Sequence, residues 1–376
     1  MSGAEIRNRY FDELVNTSGL VWMGQNTNHI PAHPEVREAM VKAIESGEFS
    51  AYAPPLGFEA LRAAIRDDLS VPNASALVTE GGVNALAAIC RAKARPGTTL
   101  VTTDPTWKWP CLFARQMGAE VVQIPIYMPE TEYKLTPEAL AAAVDERTAI
   151  IYLVDPNNPL GIRYERTEIE AFAKIARAAG SLLVHDCTYR DFATGHTPAL
   201  QIAPEGTVVT VSFSKWLGLA GMRIGALVAS PEFVNEFATQ STSVLGASVV
   251  AQRAALAGLS VKPAWMQDVR RITGENNRLV ADRARELGLG VPISPSHGNF
   301  LILETGNVGV TPEALVEAAR RDGVMIRHGR YHSEAFGDRF IKVSTSVPKE
   351  WAARFCDRLP GYVELARTLN DIPDLF

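Results

Sequence analysis

Two patterns of apolar residues alternate along the first two thirds of this 376-residue chain. Ala-rich stretches over residues 34–46 and 58–69 carry apolar positions at helical spacing, and a third stretch of this kind opens at Gly82. Between and after them lie short runs rich in β-branched residues, at 76–79, 99–102, 120–123, 149–154, 182–184 and 207–211. These runs are continuous rather than alternating, which suits strands covered by helices on both faces of a mostly parallel sheet. Beyond about residue 230 the pattern changes. Residues 235–256 and 266–287 predict long helices, and strand runs return at 299–303, 324–326 and 340–344. The spacing therefore predicts an α/β unit over residues 30–260 with a smaller α+β unit built from 261–376, onto which residues 1–29 fold back. No repeat or low-complexity linker separates the two, which favours a site shared between them.

Composition narrows the partners. With 47% hydrophobic and 21% charged residues the chain has the make-up of a soluble protein, long enough for two packed domains. A net charge of -5 argues against a broad nucleic-acid surface, which would be basic and clustered. Cys90, Cys111, Cys187 and Cys356 lie far apart with no CxxC spacing, so neither a zinc site nor a disulfide framework is expected. The N-terminus, MSGAEIRNRYFDEL, has charges where a secretory signal needs an apolar core, and no apolar run reaches the length of a membrane span. A cytoplasmic protein with no membrane, metal or nucleic-acid partner is expected.

The most informative segment is Ser212-Phe213-Ser214-Lys215-Trp216-Leu217-Gly218-Leu219-Ala220-Gly221-Met222-Arg223-Ile224-Gly225. A lysine amine attacks carbonyls when burial and neighbouring cations lower its pKa, and hydroxyls with an arginine close by suit a phosphate dianion. A phosphate-bearing aldehyde meets both conditions. The run resembles the cofactor-lysine segment of the fold-type I pyridoxal 5'-phosphate (PLP) enzymes, the aspartate aminotransferase superfamily. That resemblance implies a large domain with a mostly parallel central sheet, a smaller α+β domain, and PLP held as an aldimine by Lys215.

Four other segments stand in the order that this resemblance requires. Thr79-Glu80-Gly81-Gly82-Val83-Asn84 lies between a strand and a helix, so the N–H groups of Gly82 and Val83 can face an anion. Asp104-Pro105-Thr106-Trp107 follows a buried strand, and its flat aromatic could cover one face of a heteroaromatic ring, with Trp109 a competitor. Asp155-Pro156-Asn157-Asn158-Pro159-Leu160-Gly161 is a turn by composition. His185-Asp186-Cys187-Thr188-Tyr189 ends a strand, where open α/β sheets place their ligands. A metal pair of His185 and Asp186 fails there, because adjacent strand residues point to opposite faces. The resemblance implies that Asp186 keeps the pyridine nitrogen protonated and that Asn158 and Tyr189 meet the phenolic oxygen. It implies that Ser212, Ser214 and Arg223 complete the phosphate cradle, with Tyr52 reaching the site of a second subunit in a homodimer.

Residues 23–28, Met-Gly-Gln-Asn-Thr-Asn, ahead of His33-Pro34, resemble the N-terminal segment of histidinol-phosphate aminotransferases. They place the chain in class I/II, nearest that branch, with Asn28 at the substrate. One position departs from the family. Its relatives bind the substrate carboxylate with an arginine in the C-terminal strand, whereas this chain has Lys342, which keeps the charge but loses the two-pronged fork. Lys342 as a point charge, Arg327 or Arg330 in its place, or an unusual substrate would each account for this. Residues 327–332, Arg-His-Gly-Arg-Tyr-His, are dense in cations and donors, which a solvated loop also accounts for; the resemblance puts this stretch near the substrate entrance and so implies an anionic or strongly polar substrate side chain.

The resemblance implies an aminotransferase that moves an amino group between an amino acid and a 2-oxo acid, with the released Lys215 as proton carrier. A lyase, decarboxylase or cyclase of the capreomycidine-synthase type is the alternative.

Overall fold

A computed structural model of the chain describes residues 3–241, 244–369 and 372. Among the described residues twelve strands are numbered in chain order: β1 (Val21–Trp22), β2 (Ser75–Thr79), β3 (Thr99–Asp104), β4 (Glu120–Pro125), β5 (Thr148–Val154) and β6 (Leu182–Asp186). They continue with β7 (Thr207–Ser212), β8 (Gly225–Ala229), β9 (Phe300–Glu304), β10 (Val324–Met325), β11 (Arg327–His328) and β12 (Phe340–Ser344). Seven of them form the central sheet in the order β2-β8-β7-β6-β5-β3-β4. β8 runs antiparallel to both its neighbours and the other contacts are parallel.

Alternate strand residues enter different cores, as the two-residue period requires. Leu182 and Val184 pack with Ala85, Leu86 and Ile89 of helix Gly82–Lys93, whereas Leu183 packs with Ile169 and Phe172 of helix Arg166–Ala179. The second of these helices begins in a reciprocal capping box of Glu165 and Glu168 and stops at Gly180, whose φ of 67° favours glycine. Parallel strands joined by such crossovers bring the C-terminal ends of β2, β3, β5, β6 and β7 to one edge. The segments after those ends are the ones singled out by chemistry above.

The C-terminal part is built around an antiparallel sheet, β11-β12-β9. The N-terminal segment returns to it, with β1 parallel to β10 and Val21 and Met23 in a core with Leu301, Ile326 and Phe355. One prediction here needs correction. Residues 235–256 are not one helix: helix Pro231–Ala238 ends, and after an irregular segment a 38-residue helix, Val249–Glu286, absorbs the two stretches expected to be separate. The interruption falls at a Ser/Thr/Gly-rich stretch that composition favours as a loop. Residues 242 and 243 within it lie outside the described residues, as do 1–2, 370–371 and 373–376. The expected boundary at residue 260 falls inside the long helix, so the chain crosses it without a loop. Among the described residues no helix is long and apolar enough to cross a membrane.

Candidate active site

A cavity of about 520 Å³ lies at the C-terminal edge of the central sheet, closed on its far side by the small sheet and the segment after β1. Gly82, Val83, Trp107, Asn158, Asp186, Tyr189, Ser212, Ser214, Lys215 and Arg223 all line it, together with Arg327 and Lys342. Five strand ends of the central sheet and one C-terminal hairpin thus meet on a single space.

Helix Gly82–Lys93 starts at the cavity, and its first N–H groups have no partner within the helix. Two glycines keep this terminus open. A Cβ on Gly225 would stand 2.5 Å from the nitrogen of Gly82, and one on Gly81, whose φ is 81°, would stand 2.5 Å from Nη2 of Arg223. Strand pairing makes the contact: Gly225 of β8 is opposite both Thr79 of β2 and Ser212 of β7. Arg223 holds a left-handed backbone and donates to the carbonyl of Ala220 at 3.1 Å.

Lys215 donates from Nζ to the carbonyl of Gln25 at 2.9 Å. Burial first, and then the nearby Arg223, pull its amine down to about 8, against the opposing pull of Asp186. Asp186 accepts from Oγ1 of Thr188 at 2.6 Å, from the Thr188 N–H at 3.1 Å and from the hydroxyl of Tyr152 at 3.2 Å. Burial raises its pKa, and these donors work the other way. His185, its neighbour, faces away from the cavity, with Nε2 3.1 Å from Asp155 and Nδ1 accepting the N–H of Ala199.

Tyr189 accepts at its hydroxyl from Nδ2 of Asn26 at 3.0 Å, and burial pushes its phenol well above the ordinary tyrosine range. Oδ1 of Asn158 accepts from Nδ2 of Asn26 at 3.4 Å and from Nζ of Lys342 at 3.3 Å. Arg327 and Lys342 are direct cross-strand partners in β11 and β12, which sets two cations side by side. Burial, then Arg327 and Lys215, hold the Lys342 amine well below the ordinary lysine range.

Two residues expected at the substrate, Asn28 and Arg330, lie elsewhere. Asn28 is buried outside the cavity lining with its amide spent on backbone: Nδ2 donates to the carbonyl of Trp216 at 2.8 Å, and Oδ1 accepts from Ile30 at 3.0 Å. Asn26, two residues earlier, occupies the cavity instead. Arg330 also lies outside the lining, and its Nε meets Glu313 at 2.7 Å. Tyr52 is 84% exposed and away from the cavity of its own chain. Sequence reasoning missed Asn26, Gln25, Thr188 and Tyr152. Only Asn26 had a local signal, because an Asn with φ of 56° suits the left-handed turn that aims it inward.

The family described as aminotransferase class I and II matches residues 18–359 of the chain. The aromatic amino acid aminotransferase of Streptomyces coelicolor is 31% identical over 340 residues, covering 87% of this chain and 90% of its own. The histidinol-phosphate aminotransferase of Methanosarcina mazei is 26% identical over 348 residues, with 91% and 89% covered. Among solved structures, N-succinyldiaminopimelate aminotransferase from Mycobacterium tuberculosis superposes with a TM-score of 0.85 at 23% identity, covering 95% of this chain and 97% of its own, and so has the same fold.

Proposed function

This chain belongs to the class I and II aminotransferase family and uses PLP to move an amino group between an amino acid and a 2-oxo acid; we propose that the cavity around Lys215 is where it does so. The observation that carries this placement is the convergence of a low-pKa lysine, a buried carboxylate and a glycine-opened helix terminus on one space.

The residues present fit PLP by their donor set. The N–H groups of Gly82 and Val83, the hydroxyls of Ser212 and Ser214, and Arg223 would hold the phosphate. Asp186 would keep a proton on the ring nitrogen, and Trp107 would cover a ring face. The hydrogen bonds above leave Nδ2 of Asn158 and the O–H of Tyr189 as donors for the phenolic oxygen. Bound there, the cofactor supplies an electron sink for the charge left at Cα. Lys215, whose amine burial and Arg223 pull down to about 8, would be the base that carries the Cα proton. Lys342, steadied by Asn158, and Arg327 beside it bind the α-carboxylate as a pair, which supplies from two strands what one arginine fork supplies elsewhere.

Further parts of the reading are a homodimer in which Tyr52 reaches the other subunit's site, a cytoplasmic location, and two domains that meet at the cavity. Exposed apolar side chains at Val41, Ile44 and Phe49, close to Tyr52 in sequence, support the dimer, and four buried free cysteines suit a reducing compartment. The relatives named above are aminotransferases and lend nothing to a lyase, decarboxylase or cyclase. A stoichiometric half-reaction tests the function: holoenzyme without keto acid, given a panel of amino acids, should release one keto product per site and no more. Many turnovers with no acceptor would refute transamination.

A further inference from the structure

Asp155 is fully buried behind the cavity and is not among the residues that line it. A buried carboxylate is costly unless donors surround it, and this one is surrounded. Oδ1 accepts the N–H of Tyr164 at 3.2 Å, and Oδ2 lies 3.1 Å from Nε2 of His185 and 3.2 Å from Nε2 of His196. These contacts fix the tautomers. Nδ1 of His185 accepts the N–H of Ala199 at 3.0 Å, so the proton of that ring is on Nε2 and is donated to Asp155. Nε2 of His196 faces two acceptors, Oδ2 and, at 3.1 Å, the carbonyl of Asp155, so it carries a proton too. His185, Cys187 and His196 place ligand atoms within 4.8 Å of one another, but these bonds leave His185 no lone pair for a metal. Burial pushes the Asp155 carboxyl up, and His196 and His185 outweigh it and hold the group well below the ordinary carboxylate range.

The same residue ties together two segments that carry the chemistry. Its N–H donates to the carbonyl of Asp186 at 2.9 Å, and its bond to Tyr164 closes the loop that holds Asn158. A second rung inside that loop, from the N–H of Asn157 to the carbonyl of Ile162 at 2.8 Å, confines Asn158 to a short tip. No step of the reaction uses Asp155, His185 or His196, although an apolar residue would be cheaper to bury. We propose that Asp155, gripped by His185 and His196, is a positioning residue: it aims Asn158 from behind, and through Asn158 it sets the hydrogen bonding at the cofactor's phenolic oxygen and the seat of Lys342. The assignment rests on the placement of PLP around Lys215 and goes beyond it, by naming what aims a residue that meets the cofactor.

The readout is the pH at which the absorbance of the bound cofactor changes, followed in holoenzyme of the wild type, Asn158→Ala, Asp155→Asn, His196→Leu and His196→Gln. A donor favours the fully anionic phenolic oxygen, so a misaimed Asn158 lets the proton shared by that oxygen stay to higher pH. Asn158→Ala gives the full effect. Asp155→Asn should raise the midpoint by roughly half a unit to one unit, the worth of one weakened hydrogen bond to a charged oxygen. His196→Leu should move it the same way by less, and His196→Gln, whose side-chain N–H falls near the place of Nε2, should restore the wild-type value. In an Asn158→Ala background Asp155→Asn should add nothing, because its effect passes through that residue. A lower thermal midpoint with an unmoved spectral midpoint would show a merely structural residue and overturn the proposal, as would full additivity in the double variant. Should Asp155→Asn fail to fold, the two His196 variants decide by the same measure. A wild type whose cofactor titrates but which transaminates no donor would instead overturn the aminotransferase reading, and the shifts in midpoint would still decide the positioning role.

Discussion

On the wall formed by the central sheet, the polar side chains are held in place: Thr188 and Tyr152 fix Asp186, while Asn26, reaching across from the segment after β1, bridges Tyr189 and Asn158. On the wall formed by β11, β12 and the loop between them, cations stand beside cations and over aromatic rings, and a buried histidine has no partner. The first wall is complete as a scaffold and presets the geometry in which a cofactor is received. The second gathers like charges in a low-dielectric space, an arrangement that a negatively charged ligand would stabilise.

The largest test of this contrast is on the sheet side. Lys215→Ala should reduce turnover by at least about 10³-fold while the cofactor is still bound, since the anchoring residues remain and the proton carrier is gone. Near-normal rates would remove Lys215 from the chemistry. On the small-sheet side, Lys342→Ala should lower kcat/KM by roughly 10- to 100-fold, chiefly through KM, and Lys342→Arg should recover most of it by restoring a fork. A fall confined to kcat would put Lys342 with the scaffold wall instead.

A smaller effect follows from the depressed Lys215 amine in the cofactor-free protein. Its folded value of about 8 lies below the ordinary 10.5, so burying the charge costs stability in full below pH 8. That cost fades as pH rises from 8 toward 10.5, because the folded state gives up its proton first. The thermal midpoint of the wild type should therefore gain on that of Lys215→Met over this window, and parallel curves would show that the amine is not desolvated. Least of all, Arg330→Ala should leave steady-state kinetics within about twofold, since that side chain is exposed and engaged with Glu313.

The same contrast governs what could be read from sequence. Strands of the central sheet are continuous apolar runs, and the chemical residues follow their ends at short range, so Asp186, Asn158 and the Lys215 segment stand out together. β8 escaped because Gly225–Ala229 is a short Gly- and Ala-containing run directly after a functional loop. Its antiparallel insertion between β2 and β7 has no sequence signature at all. The small-sheet wall was legible only as a density of charge over residues 327–332. Which of its members enter the cavity depends on long-range partners: Glu313 draws Arg330 outward, and the carbonyl of Trp216 takes up the amide of Asn28. Local spacing carries no record of such competitors.

The pairing of β8 with both β2 and β7 also orders events in the life of the chain. Gly81 and Gly82 leave the ribosome long before Arg223 and Gly225, and until the later strand slides between the earlier two there is no arginine over the turn and no glycine packed beneath the helix terminus. A nascent or truncated chain that ends before β8 can have the lysine without the phosphate grip. On the proposed placement of the phosphate, capture of the cofactor requires a finished central sheet, and a fluorescence or absorbance trace of its uptake during refolding should appear no earlier than the pairing of β8.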